Sequence, residues 1–142
     1  MKKVIVIGCP GSGKSTFLQT MIYSLINLYS PLQLNVYAID FSSHLLQAFE
    51  SAPHVGGVMN ENELEKIDKF FNMMEDIMIQ RKTMIGGNYS QYVKVNGYKF
   101  PSIVIAIDNY ASFREKTDDK YEKILWEISR DGAGMGIFLA IS

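Results

Sequence analysis

Gly8-Cys9-Pro10-Gly11-Ser12-Gly13-Lys14-Ser15 is the stretch from which the fold of this 142-residue chain can be predicted. It matches the pattern G-x-x-x-x-G-K-[ST] of a phosphate-binding loop, or P-loop. An apolar run at residues 4–7 precedes it and predicts a buried strand. Apolar residues at helical spacing follow it, namely Phe17, Leu18, Met21, Ile22, Leu25 and Ile26. Strand, glycine-rich loop and helix in this order are the context in which the motif binds phosphate.

The residue types of this loop suit a triphosphate. Its glycines allow backbone N–H groups to turn inward without obstruction by a Cβ, and the following helix directs the positive end of its dipole at the same anion. Lys14 can reach the β- and γ-phosphates, and the Ser15 hydroxyl can ligate Mg2+. We expect ATP and Mg2+ as cofactors and Lys14 as a catalytic residue. The predicted nucleotide-binding residues are Gly8, Cys9, Pro10, Gly11, Ser12, Gly13, Lys14, Ser15 and Thr16.

A second apolar run, residues 102–107, ends in Asp108 and Asn109. A run of β-favouring residues that ends in aspartate is typical of a Walker B strand, whose carboxylate holds the Mg2+ of the P-loop, usually through water. The pattern is weak alone and strong when a P-loop lies upstream. We therefore predict a metal site formed by Ser15 and Asp108.

The composition is that of a globular domain, with 47% hydrophobic residues, 20% charged residues and a formal net charge of −1. This balance is not the clustered basic excess of a nucleic-acid-binding protein, and no apolar run is long enough to span a bilayer. The first residues look like the start of a signal peptide, but their apolar part is too short and runs directly into the P-loop. A single cysteine, Cys9, fits a reducing compartment.

The rest of the chain alternates between helix and strand patterns. We predict helices at residues 14–28, 45–49, 60–85 and 119–130, strands at 34–39, 102–107 and 137–141, and a loop through Pro53, Gly56 and Gly57. Asn60 and Glu63 form a capping-box pattern at the start of the longest helix. Residues 92–100 favour a small hairpin around the turn Asn96-Gly97, or else an irregular excursion over the sheet.

For several single residues the sequence leaves two roles open or suggests only a structural role. Asp40 either caps the short helix after it or lies near the nucleotide. Arg81 falls near the end of the longest helix, where a cation suits the dipole. His44 and His54 have no second metal-ligand candidate nearby, and we interpret both as structural. Trp126 lies off the core face of its helix.

Alternation of strand and helix predicts the α/β class, with a parallel sheet covered by helices on both faces. In such a sheet the ligand lies at the carboxyl ends of the strands.

Stretches beyond the P-loop carry a family likeness, namely residues 39–40, 52–58, 74–81, 101–109 and 134–142. With these, nearly the whole chain resembles the FtsK/SpoIIIE ATPases, and within them the ATPase modules of type VII secretion motors of the EssC/EccC kind. The resemblance implies a single P-loop NTPase domain of the RecA/ASCE type over residues 1–142, as a fragment of a longer multidomain motor. The usual strand order is then 5-1-4-3-2, with the P-loop strand as 1 and Walker B as 3. Four predicted strands leave the fifth missing and place strand 1 at an edge.

The chain departs from the family pattern at informative positions. Active members carry Asp-Glu at the end of the Walker B strand, where this chain has Asp108-Asn109. An amide can orient the attacking water but cannot accept its proton, so Asn109 is a degenerate water-positioning site, and a general-base contribution of about 100- to 10,000-fold is at risk. Gly132-Ala133 stands where members often have Gly-Arg, although Arg130 is close by.

The resemblance and its departures together imply an ATP-binding module of a type VII protein-secretion motor with weak or no hydrolysis. Its partners would be neighbouring ATPase modules and secreted proteins, with DNA disfavoured and no direct membrane contact by this fragment. The parent protein would be anchored at the cytoplasmic face of the bacterial membrane.

Two alternatives stay open. An active DNA translocase of the FtsK kind would require DNA-binding loops outside this chain. A small P-loop nucleotide kinase would suit the first 16 residues, but arginines for a lid are few: Arg81, Arg114 and Arg130.

Overall fold

The computed structural model describes residues 4–5 and 14–142. Within these residues the elements in chain order are β1 Val4–Ile5, α1 Lys14–Leu28, β2 Leu34–Asp40, a 3₁₀ helix Leu45–Phe49, β3 Val55–Asn60, α2 Leu64–Ile85, α3 Tyr89–Asn96, β4 Ser102–Asp108, α4 Tyr110–Lys116, α5 Glu122–Met135 and β5 Ile137–Ile141. The alternation of strand and helix confirms the predicted α/β class.

The described strands form one parallel sheet in the order β1-β5-β4-β2-β3. The order β1-β5-β4-β2 is the predicted one, and among the described residues β1 is an edge strand, as expected. The predicted number of four strands was wrong, because β3 adds a fifth at the opposite edge, where we expected the loop through Pro53, Gly56 and Gly57.

Gly56 explains why β3 looks like a loop in sequence. A Cβ at Gly56 would meet the ring of Tyr37 at 2.3 Å. The glycine is therefore required by the close approach of the Tyr37 side chain from the neighbouring strand β2, not by a turn. Sequence patterns read such a glycine as a strand breaker.

Both faces of the sheet are covered. Alternation along β4 directs Ile103, Ile105 and Ile107 to one face and Val104 and Ala106 to the other. The first face packs against α2, α4 and α5, and the second against α1 and the 3₁₀ helix. Helix α1 has the predicted bounds, but Phe17, the first of its apolar residues at helical spacing, is 46% exposed.

The predicted hairpin at residues 92–100 is wrong, since α3 occupies most of it. The Asn88 side chain accepts a hydrogen bond from the Gln91 N–H and so caps the first turn. Gly97 ends the helix with a φ of +72° and donates its N–H to the carbonyl of Val93. The pair Asn96-Gly97 is thus a helix end and not a hairpin turn, and both roles favour glycine at positive φ.

Two other helices differ from their predictions. Helix α2 begins at Leu64, not near Asn60, and only half of the capping box forms: the Glu63 carboxylate accepts from the Asn60 N–H at 3.2 Å. Helix α5 begins later than predicted, at Glu122, and continues through Gly132 to Met135. A Cβ at Gly132 would meet the carbonyl oxygen of Ile137 at 2.4 Å, so the glycine allows helix and strand to approach closely.

Arg81 lies near the end of α2, as predicted, and it has a buried role that its position did not reveal. It is 3% exposed, and its guanidinium donates to the carbonyls of Met135 and Pro101 at 2.9 and 2.7 Å. It therefore connects the end of α2 to the end of α5 and the approach to β4.

Candidate functional site

The carboxyl edge of the sheet brings polar residues from three strands together. Asp40 ends β2 and Asp108 ends β4, in register with each other, while Ser142 directly follows β5. Both aspartates are almost fully buried, at 1% and 2% exposure. This is the edge at which an α/β sheet binds ligands.

The Asp108 carboxylate accepts a hydrogen bond from Ser15 across the sequence. Ser15 lies in the first turn of α1, and its Oγ donates to Asp108 Oδ2 at 2.7 Å. The two predicted metal ligands are therefore adjacent in space. A hydroxyl and a carboxylate are hard oxygen donors of the kind that Mg2+ prefers, and in P-loop sites nucleotide phosphates and water supply the remaining ligands. The donor set fits Mg2+, and the metal role of both residues stays a prediction.

Most of the predicted nucleotide-binding loop falls outside the described residues, namely Gly8, Cys9, Pro10, Gly11, Ser12 and Gly13. Of the remaining predicted residues, Lys14 begins α1, and Thr16 is exposed one position after Ser15. Their roles in binding nucleotide, and the catalytic role of Lys14, stay predictions.

Asn109 follows Asp108 and has a structural role that the sequence did not reveal. Its backbone is left-handed, with a φ of +64°, a conformation that asparagine tolerates better than most residues. Its Oδ1 accepts from the Ser112 N–H at 3.2 Å and so caps α4. Its Nδ2 lies 3.5 Å from the carbonyl oxygen of Phe41, a long hydrogen bond. Both polar atoms of the amide thus have partners within the protein.

Asp40 takes the cap role that was one of its two interpretations. Its Oδ1 accepts from the Ser42 N–H at 3.0 Å, and its Oδ2 from the Leu46 N–H at 3.1 Å. The carboxylate therefore holds the chain that leaves β2 and enters the 3₁₀ helix. Asp108, in register beside it, is held by hydroxyl groups instead.

Sequence reasoning missed Ser142 as a site residue. Its Oγ donates to Asp108 Oδ1 at 2.8 Å and accepts from the Asn109 N–H at 3.1 Å. A signal was available, because a hydroxyl residue directly after a strand that neighbours the Walker B strand must lie at the same edge of the sheet. The strand order implied by the family resemblance already placed this strand beside the Walker B strand, so the contact with Asp108 could have been predicted.

The two histidines behave differently. His54 is buried and its Nε2 lies 2.6 Å from the carbonyl oxygen of Tyr29, in keeping with a structural role. His44 is exposed near the carboxyl edge, and its Nε2 lies 2.9 Å from both carboxylate oxygens of Glu61. The hydrogen bond that His44 donates to the Glu61 carboxylate, and then the negative charge of that carboxylate, raise the pKa of His44.

On α5, Trp126 is 60% exposed, and the guanidinium of Arg130 lies over its ring at 4.5 Å. Arg130 also forms an ion pair with Asp131 at 2.8 Å. No described helix is both long and apolar enough to cross a membrane.

Comparison with known proteins places this geometry in a family. The model of the FtsK/SpoIIIE family matches residues 1–94, which is more than half of the chain. Among curated proteins, the chain is 29% identical to the type VII secretion system protein EssC of Staphylococcus aureus and 31% identical to the ESX secretion system protein EccC of Geobacillus thermodenitrificans. These matches cover 98% and 96% of the chain but only 10% of each relative, so the chain spans about a tenth of their length.

Solved structures give the same result. A structure of EssC (ATPases 2 and 3) from Geobacillus thermodenitrificans superposes with a TM-score of 0.91 at 30% identity, over 99% of this chain and 28% of that one. A structure of Thermomonospora curvata EccC (ATPases 2 and 3) in complex with a signal sequence peptide superposes with a TM-score of 0.91 at 26% identity, over 99% and 27%. The chain is thus homologous to ATPase domains of type VII secretion motors.

Proposed function

Because the chain belongs to the FtsK/SpoIIIE family, we propose that it is a Mg-ATP-binding module of a type VII secretion motor that hydrolyses ATP slowly or not at all. The P-loop residues would hold the phosphates, and Ser15 and Asp108 would hold Mg2+. The metal would neutralise charge on the phosphates. In support, the Ser15 hydroxyl and the Asp108 carboxylate lie 2.7 Å apart at the ligand-binding edge of the sheet.

The proposal of slow hydrolysis depends on Asn109, which has an amide in place of the catalytic carboxylate and whose amide contacts other groups of the protein. An amide cannot accept the proton of an attacking water, which removes a contribution of about 100- to 10,000-fold. In addition, the Asn109 amide contacts Ser112 N–H and the Phe41 carbonyl oxygen. We infer that the main role of this side chain is to cap α4, and not to orient an attacking water molecule.

The test is binding and turnover of Mg-ATP on one sample, with Asn109→Glu and Asn109→Gln compared with the unaltered chain. Glutamate and glutamine have the same length, and both lose the asparagine cap, so their difference isolates the carboxylate. We expect Mg-ATP binding with negligible turnover by the unaltered chain, and turnover by the Glu variant up to about 100-fold above that of the Gln variant.

Brisk turnover by the unaltered chain would contradict the proposal, because another residue would then supply the base. Strong DNA affinity that falls steeply with salt would favour a DNA translocase instead, and phosphoryl transfer to a nucleotide would favour a kinase. Absence of nucleotide binding would refute the proposal altogether.

We also propose that the partners are other ATPase modules of the same motor and secreted proteins, and that the parent protein lies at the cytoplasmic face of the membrane. Support comes from relatives whose structures contain ATPases 2 and 3 together, one of them with a signal sequence peptide, and from another described as the cytoplasmic domain of EssC. On this chain, the exposed Trp126 and Arg130 are of the residue types that dominate protein interfaces.

A further inference from the structure

Ser142 joins the end of β5 to the turn between β4 and α4. Its backbone N–H donates to the carbonyl of Ile107 at 3.0 Å, and its carbonyl accepts from the Tyr110 N–H at 2.9 Å. Its Oγ donates to Asp108 and accepts from the Asn109 N–H. Backbone contacts on both sides thus fix the residue, and its hydroxyl is held between a donor and an acceptor.

The Asp108 carboxylate is held by one hydroxyl on each oxygen. Ser15 donates to Oδ2 at 2.7 Å, and Ser142 donates to Oδ1 at 2.8 Å. The terminal torsion of an aspartate is broad, so the plane of the carboxylate depends on such contacts. If the Ser15 hydroxyl turns to Mg2+ when the metal binds, Ser142 remains to orient the carboxylate.

We propose that Ser142 is a positioning residue that sets the Mg2+ affinity of the nucleotide site by holding Asp108 Oδ1, so that Oδ2 faces Ser15. The inference rests on the proposed Mg-ATP binding. Groups that orient a metal ligand without touching the metal commonly change metal affinity by about 10- to 100-fold. Because a single neutral hydroxyl forms a weaker hydrogen bond than a charged group does, we expect a smaller change in Mg2+ affinity, of about 3- to 30-fold.

A purely structural role for Ser142 makes a different prediction. Its two backbone hydrogen bonds, with Ile107 and Tyr110, do not involve the side chain and survive in Ser142→Ala. If the hydroxyl only supported the fold, its loss would weaken nucleotide binding equally with and without metal. If it positions Asp108, the loss appears only in the metal-dependent part.

The experiment is a Mg2+ titration at fixed concentration of a fluorescent ATP analogue, repeated in EDTA, for the unaltered chain, Ser142→Ala and Ser142→Thr. Ser102→Ala is the matched control, because it removes a hydroxyl at the opposite end of β4, where Ser102 donates to Tyr89 Oη. We expect the half-saturating Mg2+ concentration to rise about 3- to 30-fold in Ser142→Ala, to recover in Ser142→Thr, and to be unchanged in Ser102→Ala. Analogue affinity in EDTA should be the same in all four.

An unchanged Mg2+ midpoint in Ser142→Ala would overturn the inference while leaving the proposed function intact. Equal weakening with and without Mg2+ would overturn it as well, since the hydroxyl would then be structural. Failure of the unaltered chain to bind the analogue under any condition would instead refute the proposed function, and the inference with it.

Discussion

Replacing Arg81 by methionine should lower the free energy of unfolding by about 2–4 kcal/mol. The guanidinium is 3% exposed and donates to Met135 at 2.9 Å and to Pro101 at 2.7 Å. Like the aliphatic part of arginine, the methionine side chain is unbranched, and it fills an irregular apolar space with little strain. The substitution therefore tests the two hydrogen bonds more than the packing.

The magnitude follows from opposing contributions. A hydrogen bond from a charged donor contributes about 1.5–3 kcal/mol, and a buried carbonyl left without a donor costs about 1–3 kcal/mol. Burial of the cation opposes these gains and lowers the pKa of Arg81, and Nε has no hydrogen-bond partner among the described residues. Because the Pro101 carbonyl is only partly buried, it can recover a bond to water. The balance is about 2–4 kcal/mol.

The assay is urea denaturation of the unaltered chain, Arg81→Met, Arg81→Lys and Lys82→Met. Lys82 is the matched control, because the same cation-to-methionine change falls one residue away on an exposed side chain, where we expect a change within about 0.5 kcal/mol. Arg81→Lys should fall between, since an ammonium does not reproduce the two-pronged geometry of the guanidinium. A loss for Arg81→Met no larger than that for Lys82→Met would refute the reasoning and show that burying the cation cancels its two hydrogen bonds.

Two further predictions concern the packing of α5 and the edge of the sheet. Gly132→Ala should destabilise by about 1–3 kcal/mol, because its Cβ would lie 2.4 Å from the backbone carbonyl oxygen of the first residue of β5; Gly57→Ala, with open space around its Cβ, is the control, and equal urea midpoints would contradict the prediction. The His44–Glu61 pair should stabilise the fold between the ordinary pKa values of a carboxyl and an imidazole. Because the pKa of His44 is raised in the folded state, the stability that the charged imidazole contributes is lost as the pH rises through this raised pKa. Because the pKa of Glu61 is lowered, the stability that its carboxylate contributes is lost as the pH falls through this lowered pKa. In an NMR titration, Glu61→Gln should lower the pKa of His44, and an unchanged value would show that the pair does not persist in solution.

Regular elements with one dominant signal could be predicted from sequence. Helix α1 has the predicted bounds, and β2, β4 and β5 lie within one residue of theirs. In these segments the apolar period and the flanking residues agree, so local preference and tertiary packing require the same structure. The edge position of β1 followed from family resemblance and strand counting, not from local pattern.

Errors arose where one residue type serves two structures. Glycine in a sequence suggests a turn, yet Gly56 lies in a strand and Gly132 in a helix. Glycine is needed at these two positions because the Tyr37 ring and the backbone of Ile137 leave no room for a Cβ. Gly97 ends a helix where a hairpin was predicted. For Gly56 and Gly132 the deciding contact comes from a residue that the local sequence does not identify as a neighbour, whereas for Gly97 the same local pattern suits both a helix end and a hairpin turn. The buried role of Arg81 was missed because its acceptors are likewise distant in the sequence, 20 and 54 residues away.

The pair Asp108-Asn109 shows how fold and chemistry compete at one turn. The Asp108 carboxylate faces Ser15 and Ser142, while the positive φ of Asn109 and its bond to the Ser112 N–H commit the next residue to α4. Glutamate at this position would lose a cap worth about 1 kcal/mol and add the left-handed backbone cost of about 1–2 kcal/mol that asparagine largely avoids. Any turnover gained by Asn109→Glu is therefore gained in a less stable protein, and it must be measured per folded molecule. If the Glu and Gln variants lose equal stability and only the Glu variant hydrolyses ATP, the missing carboxylate alone would explain the slow turnover that we propose.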